Sequence, residues 1–262
     1  MHHAVAALSI YRWTGPLLAR FPIQRRLRPS GLVYRISSLD QFGIADEMFV
    51  QRTYEAVLGE PPIDTFIDLG CNAGWFALWL EAEMPNSERI GLLVDANEFL
   101  VAEAEWLLKR NRLEHEQAVY GAVGLPPDST SAVFHILPSA SQSSLLEYDP
   151  GEQLPIKGRI KDVTVPAISV QREWQARCGE RPVDLMKIDI EGNELDFIRY
   201  EGKFLRAKVR TILLEWHKWH ATIAAVDAAL SNLGFAQRGT YHENQMTGIA
   251  LYRREDGAPA DL

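Results

Sequence analysis

Apolar residues along this chain fall into short unbroken runs, separated by longer stretches in which they recur at helical spacing. Thr65–Leu69, Arg89–Val94, Val119–Val123, Asp184–Ile188 and Val209–Leu214 are such runs, and each predicts a strand buried on both faces. Between them, Gly74–Ala82, Glu98–Arg110, Glu194–Tyr200 and Ala221–Leu233 predict helices. In Glu98–Arg110 the positions Phe99, Leu100, Ala104, Leu107 and Leu108 share one face. In Ala221–Leu233 the stripe is Ile223, Val226, Leu230 and Leu233. Two closing strands, Ala236–Thr240 and Gly248–Arg253, are placed to pair with each other. This alternation predicts an α/β fold with a doubly wound, mostly parallel sheet covered on both faces.

Two regions depart from the rhythm. At the start, residues 1–30 give only apolar patches broken by Pro16, Pro22 and Pro29. Leu32–Ile36 then predicts a strand, and Asp46–Leu58 a helix that ends before the breaker Pro61-Pro62. Between the third and fourth strands, residues 124–182 are too long for a simple crossover. This insertion holds strand candidates at Ala132–Leu137 and Val163–Ala167, a helix near Gln171–Arg177, and a Ser-rich loop around Ser139–Ser144. The expected organisation is an N-terminal basic arm, strand and helix over 1–60, then the main domain over 61–262.

Charge sharpens that division. Of 27 Lys+Arg and 35 Asp+Glu, residues 1–39 hold six arginines and no acid, so the arm carries +6 and the body −14. An acidic body repels phosphates, which argues against a nucleic-acid partner. The arm suits an anionic membrane surface, a second subunit or its own acidic domain. Docking on self or in a homodimer is favoured, because the prolines interrupt a long amphipathic helix. Two cysteines, Cys71 and Cys178, make neither a disulfide framework nor a zinc site, and the expected setting is reducing and cytoplasmic. The apolar opening has no basic residue ahead of it, unlike a secretory signal, although its Arg-rich, acid-free character leaves organelle import open. No transmembrane helix is expected, since the longest uncharged stretch, Ser129–Leu146, is Ser-rich and contains His135 and Pro138.

The candidate chemistry begins at Phe66-Ile67-Asp68-Leu69-Gly70-Cys71-Asn72-Ala73-Gly74, a buried strand running into a glycine turn that opens a helix. Such a turn lets a ligand approach the backbone, and free N–H groups at the helix start favour an anionic group. The second strand ends in Asp95, placed to accept hydrogen bonds from both hydroxyls of a ribose. The pair suggests an adenosine-bearing cofactor; the alternative is a plain structural turn and a surface Asp. Asn72 breaks the nicotinamide fingerprint, and no Lys-Ser/Thr follows Gly74 as a phosphate loop requires. Asp68 is unfavourable beside a phosphate and favourable beside an amine or sulfonium. S-adenosyl-L-methionine has the ribose, the cationic centre and the small carboxylate that such a loop suits.

Phe66–Gly74 resembles the first motif of class I methyltransferases, which have a seven-stranded, Rossmann-like sheet. Asp184-Leu185-Met186-Lys187-Ile188-Asp189-Ile190-Glu191-Gly192-Asn193-Glu194 resembles the K-I-D-x-E-G-x-E signature of the FkbM family in particular. Asp95-Ala96-Asn97, Tyr120-Gly121-Ala122-Val123, the Ser141–Leu145 loop and Ile212-Leu213-Leu214-Glu215 continue the pattern, over roughly residues 62–216. Asp95-Ala96 stands where Glu-Pro is usual, which keeps the ribose acceptor and shortens its reach. The resemblance implies an S-adenosyl-L-methionine-dependent O-methyltransferase acting on a hydroxyl of a sugar or natural product. The alternatives are a nitrogen acceptor, or a non-catalytic cofactor-binding module. The cofactor residues it implies are Asp68, Gly70, Asn72, Gly74, Asp95, Asn97, Ala122, Ser143 and Asp189.

Methyl transfer to an unactivated hydroxyl requires alignment and removal of a proton. Asp189 and Glu191 point to one side if the strand continues past Ile188, and Glu215 and His217 alternate onto the same edge from the fifth strand. Asp189 is expected at the cofactor and methyl centre, with Glu191 or His217 as the base. Lys187 pairs with an acid or acts in catalysis, and Glu194 is either functional or a carboxylate favoured by the helix dipole. His217 and His220 are otherwise a solvated loop pair flanking buried Trp216 and Trp219. Asp189 and Glu215 also resemble the acids of metal-dependent class I enzymes, but Trp216 occupies the third-ligand position and no metal is expected. Gln142–Leu145 is expected to contact the cofactor, and the rest of the insertion, with the N-terminal segment, to cover the substrate. His135 and Tyr148 have no assignable role.

Overall fold

Core strands alternate their side chains between two apolar layers, and this is what buries the sheet on both sides. The computed structural model describes residues 17–137, 143–145 and 160–255. In chain order, β1 (Ile23–Arg26) and β2 (Val33–Ile36) form an antiparallel pair, followed by α1 (Asp40–Phe49). Then come β3 (Thr65–Leu69), α2 (Trp75–Glu83), β4 (Ile90–Asp95), α3 (Glu98–Asn111) and β5 (Glu116–Tyr120). The insertion supplies an antiparallel pair, β6 (Ser131–Ile136) with β7 (Lys161–Pro166), and α4 (Val170–Cys178). The chain closes with β8 (Val183–Ile188), α5 (Glu194–Tyr200), α6 (Gly202–Lys208), β9 (Val209–His217), α7 (Ile223–Asn232), β10 (Phe235–Tyr241) and β11 (Thr247–Arg254).

Seven strands make the central sheet in the order β5-β4-β3-β8-β9-β11-β10. Only β11 runs against its neighbours; the pairings from β5 to β9 are all parallel. Phe66, Leu93, Leu185 and Leu213 face the layer that holds α2 and α3. Ile67, Leu69, Val94, Met186, Ile188 and Leu214 face the layer of α4 to α7, among Trp174, Phe197, Leu205 and Val226. This is the doubly wound, Rossmann-like sheet expected from the sequence. It brings the carboxyl ends of β3, β4, β8 and β9 to one edge, where open α/β sheets bind ligands.

Several boundaries differ from the expectation. The helix expected at Asp46–Leu58 is α1, starting at Asp40, and a separate 3-10 turn at Glu55–Gly59. The break between them includes Arg52 in the left-handed region at φ 55°, which ends a helix. The third strand ends at Tyr120, and the apolar pair beyond it forms a lone parallel bridge from Ala122 to Ala167. The arm also contains β1, which its polar sequence did not signal. Tyr148, Gln142 and most of the Ser-rich loop lie outside the described residues.

The described part of the arm rests on its own chain. Arg35 clasps Glu103 of α3 through two hydrogen bonds of 2.6 and 2.7 Å, and its guanidinium lies 4.2 Å from the centre of the Trp106 ring. The Asn111 side chain accepts from the Val33 N–H and donates to the Val33 carbonyl, both at 2.7 Å. Among the described residues, no helix is long and apolar enough to cross a membrane.

Candidate active site

A cavity of about 510 Å³ opens at the carboxyl ends of β3, β4, β8 and β9. Its floor is the turn after β3. Gly70 sits at φ +73°, and a Cβ there would fall 1.7 Å from the Asp189 carbonyl oxygen, so only glycine lets this turn lie against the end of β8. The N–H groups of Gly70 and Cys71 both donate to the Val94 carbonyl, at 2.9 and 3.0 Å, which ties the turn to β4. At the end of β4 the Asp95 carboxylate accepts from Asn72 N at 2.9 Å and Asn97 N at 2.8 Å. Burial pushes its pKa up to about 7 against those two bonds. Each oxygen retains a further lone pair, and Asp95 lines the cavity, as a ribose-binding carboxylate requires.

Beneath the turn lies an ion cluster dictated by strand register. Asp68 and Lys187 are opposite one another on β3 and β8 and point to the same face. Lys187 Nζ is 3.2 Å from Asp68 and 3.2 Å from Asp189, and it donates to the Gly70 carbonyl at 3.3 Å. Burial disfavours the ammonium, but the charges of Asp68 and Asp189 outweigh it and hold the Lys187 pKa well above its usual value. Lys187 is therefore a fixed cation that joins the glycine turn to Asp189.

The strand geometry does not continue past Ile188. Glu191 takes a left-handed conformation at φ 52° and Gly192 sits at φ 102°, so residues 190–193 turn sharply before α5. Glu194, fully buried at the start of α5, organises that turn. Its Oε1 accepts from Gly192 N at 2.9 Å, Ile190 N at 3.3 Å and His217 Nδ1 at 2.8 Å. The other His217 nitrogen, Nε2, lies 3.2 Å from Glu191 Oε2. Burial opposes the imidazolium, yet hydrogen bonds to Glu191 and Glu194 and their charges raise the His217 pKa to about 11. His217 is a buried cation with both nitrogens engaged. Burial, in turn, pushes the Glu191 carboxyl above its usual range.

Of the residues expected at the site, Gly70, Asn72, Asp95, Ala122, Ser143, Asp189, Glu191 and His217 line this one cavity. Three others support it from behind. Asp68 is buried under the turn, Gly74 starts α2, and Asn97 caps α3 by accepting from Phe99 N at 3.1 Å. Ser143 and Leu145 of the insertion reach the wall, and Ser144 Oγ donates to the Glu191 carbonyl at 2.7 Å. The N-terminal segment, expected to help cover the substrate, reaches the cavity through α1 and Tyr54, with Asp40, Ile44, Glu47 and Met48 in the wall. Asp189, Glu215 and His217 each offer an atom within 4.8 Å of one another, a spacing that would admit a metal ion. As a metal ligand His217 would have to release one of its two carboxylate partners, Glu191 or Glu194. Trp216, at the expected third-ligand position, is instead packed in the core.

The chain matches the family described as "Methyltransferase FkbM domain" over residues 68–236. Among curated proteins no match is found. Of solved structures, TrmK of M. capricolum in complex with S-adenosyl-homocysteine is similar at TM-score 0.49 and 8% identity, over 79% of this chain and 69% of that one. A SAM dependent methyltransferase from Aquifex aeolicus is similar at 0.46 and 11%, over 79% and 91%. NcsB1, an O-methyltransferase from neocarzinostatin biosynthesis, is similar at 0.45 and 9%, over 82% and 57%.

Proposed function

The chain belongs to the FkbM methyltransferase domain family, and on that premise we propose that it is an S-adenosyl-L-methionine-dependent O-methyltransferase acting on a hydroxyl of a sugar or natural-product acceptor. The observation that carries the reading is the convergence on one cavity of the glycine turn, the Asp95 carboxylate and the Asp189–Glu191 acids. S-adenosyl-L-methionine supplies an electrophilic methyl group on a cationic sulfur. Gly70 and Asn72 would lie against it, Asp95 would accept from its ribose, and Asp189 would face its cationic end.

The chain's own residues then align the acceptor and take its proton. His217 has no lone pair to offer, so the base is a carboxylate. Glu191 is the better candidate, because it lines the cavity and burial, against the hydrogen bond and charge of His217, raises its basicity. His217 holds Glu191 in place, and Lys187 holds Asp189. The 1–60 segment contributes the acceptor wall through α1, while 61–262 forms the catalytic unit with its insertion at 124–182.

The test is transfer of labelled methyl from S-adenosyl-L-methionine to a panel of hydroxylated sugars and natural products. Turnover on one of them, lost in Asp189→Ala, is the expected result. Unchanged turnover in that variant contradicts the assignment. Cofactor binding with no transfer to any hydroxyl or amine favours a non-catalytic module.

A further inference from the structure

The acceptor side of the cavity has an uneven charge distribution. Asp40 and Glu47 of α1, Asp189 at the end of β8 and Glu215 on β9 all line it. Its two cations are already committed, Lys187 to Asp68 and Asp189, and His217 to Glu191 and Glu194. Among the described residues, Asp40, Glu47 and Glu215 form no ion pair. The acids also sense each other across the space. Burial and then the charge of Asp189 raise the pKa of Glu47 from one side, and the same two causes, against His217 and Lys187, raise that of Glu215 to about 8 from the other. At the rim, Trp219 is 42% exposed beside the cavity, with its ring 4.5 Å from that of His217.

Burial and Asp189 push the unpaired Glu47 and Glu215 carboxyls toward the neutral form, and a positive charge bound beside them would return both to the charged form. An exposed indole at the mouth favours the same charge through its ring face. A phosphate or carboxylate on the acceptor would meet a net negative wall here, because Lys187 and His217 are each already paired with two acids.

Resting on the methyltransferase reading, we propose that the acceptor carries an ammonium group held between Glu47 and Glu215 beside Trp219, and that acceptors bearing an anionic group are rejected. The group recognised is separate from the hydroxyl that is methylated. It fixes the orientation of the acceptor, so Glu47 and Glu215 determine specificity.

The test uses three probes on one ring, benzylamine, benzyl alcohol and benzoate, titrated by ligand-observed NMR with and without S-adenosyl-homocysteine. Benzylamine is expected to bind about tenfold tighter than benzyl alcohol, with benzoate weakest. Glu47→Gln and Glu215→Gln should each reduce that advantage while S-adenosyl-homocysteine still binds. Equal binding of the three probes, a preference for benzoate, or an amine preference that survives in both variants overturns the proposal. So does stoichiometric binding of Mn²⁺ that displaces benzylamine, since the acids would then serve a metal. Charge preference is read in both arms, so failure to bind S-adenosyl-homocysteine counts against the methyltransferase reading alone.

Discussion

Replacing Glu194 by Gln keeps the shape of the side chain and removes one of the two charges that hold His217 protonated. The separation is 2.8 Å, at which unit charges in an effective dielectric of ~20 interact by on the order of 6 kcal/mol as an upper bound. The amide of Gln still accepts a hydrogen bond from Nδ1, so about half of that upper bound is lost, while Glu191 remains on Nε2. The His217 pKa should therefore fall by ~2 units from its value of about 11. The sign of the pH dependence follows. A histidine whose folded pKa lies above its unfolded value of about 6.5 stabilises the protein fully below that pH. Its contribution is lost as pH rises toward 11. Wild type should thus lose stability progressively between about pH 6.5 and 11, and in Glu194→Gln that loss should level off at pH ~9. At pH 7 the variant should be less stable by about 1–3 kcal/mol, a drop in Tm of several degrees. The assay is a ¹H–¹⁵N titration of the imidazole nitrogens, with His217→Gln to assign the resonance among seven histidines. A His217 that titrates near its ordinary value in wild type, or a titration unmoved by Glu194→Gln, refutes the reasoning.

Three other perturbations test the supports of the site. Gly70→Ala places a Cβ 1.7 Å from the Asp189 carbonyl at a left-handed φ; S-adenosyl-homocysteine affinity by calorimetry should fall more than about tenfold with a lowered Tm. Lys187→Met leaves Asp68 buried without its counter-charge and should cost about 3–5 kcal/mol by thermal unfolding, with partial recovery when Asp68→Asn is added. Arg35→Ala breaks the clasp on Glu103, whose partners are only 22% and 7% exposed; the cost should be about 1–2 kcal/mol, with faster tryptic cleavage at the arginines of the arm.

The order of elements was legible because the β3, β4, β8 and β9 runs are apolar on both faces, a pattern that only a covered parallel sheet explains. The glycine turn, Asp95 and Asp189 were legible for a related reason, since each stands at the carboxyl end of a recognisable strand. Less local features were not. Glu194 reads in sequence as an ordinary first-turn carboxylate, and its bond to His217 depends on β8 and β9 being neighbours. That adjacency was available from the expected sheet order and was the signal that could have placed His217 between two acids. The 3.2 Å contact of Lys187 with Asp68 needed the register itself. That the N-terminal segment would cover the site was expected, but which of its residues do so was not legible, because a helix set before the first core strand can pack almost anywhere. Through Asp40, Ile44, Glu47 and Met48, α1 makes the N-terminal segment part of the cavity wall.

The central claim is that the cavity around Gly70, Asp95 and Asp189 binds the adenosyl cofactor. The most direct measurement is calorimetric titration of wild type and Asp95→Ala with S-adenosyl-homocysteine. Binding at one equivalent in wild type, weakened at least about tenfold in the variant, is the predicted result. No binding by wild type, or equal affinity in the two proteins, would contradict it.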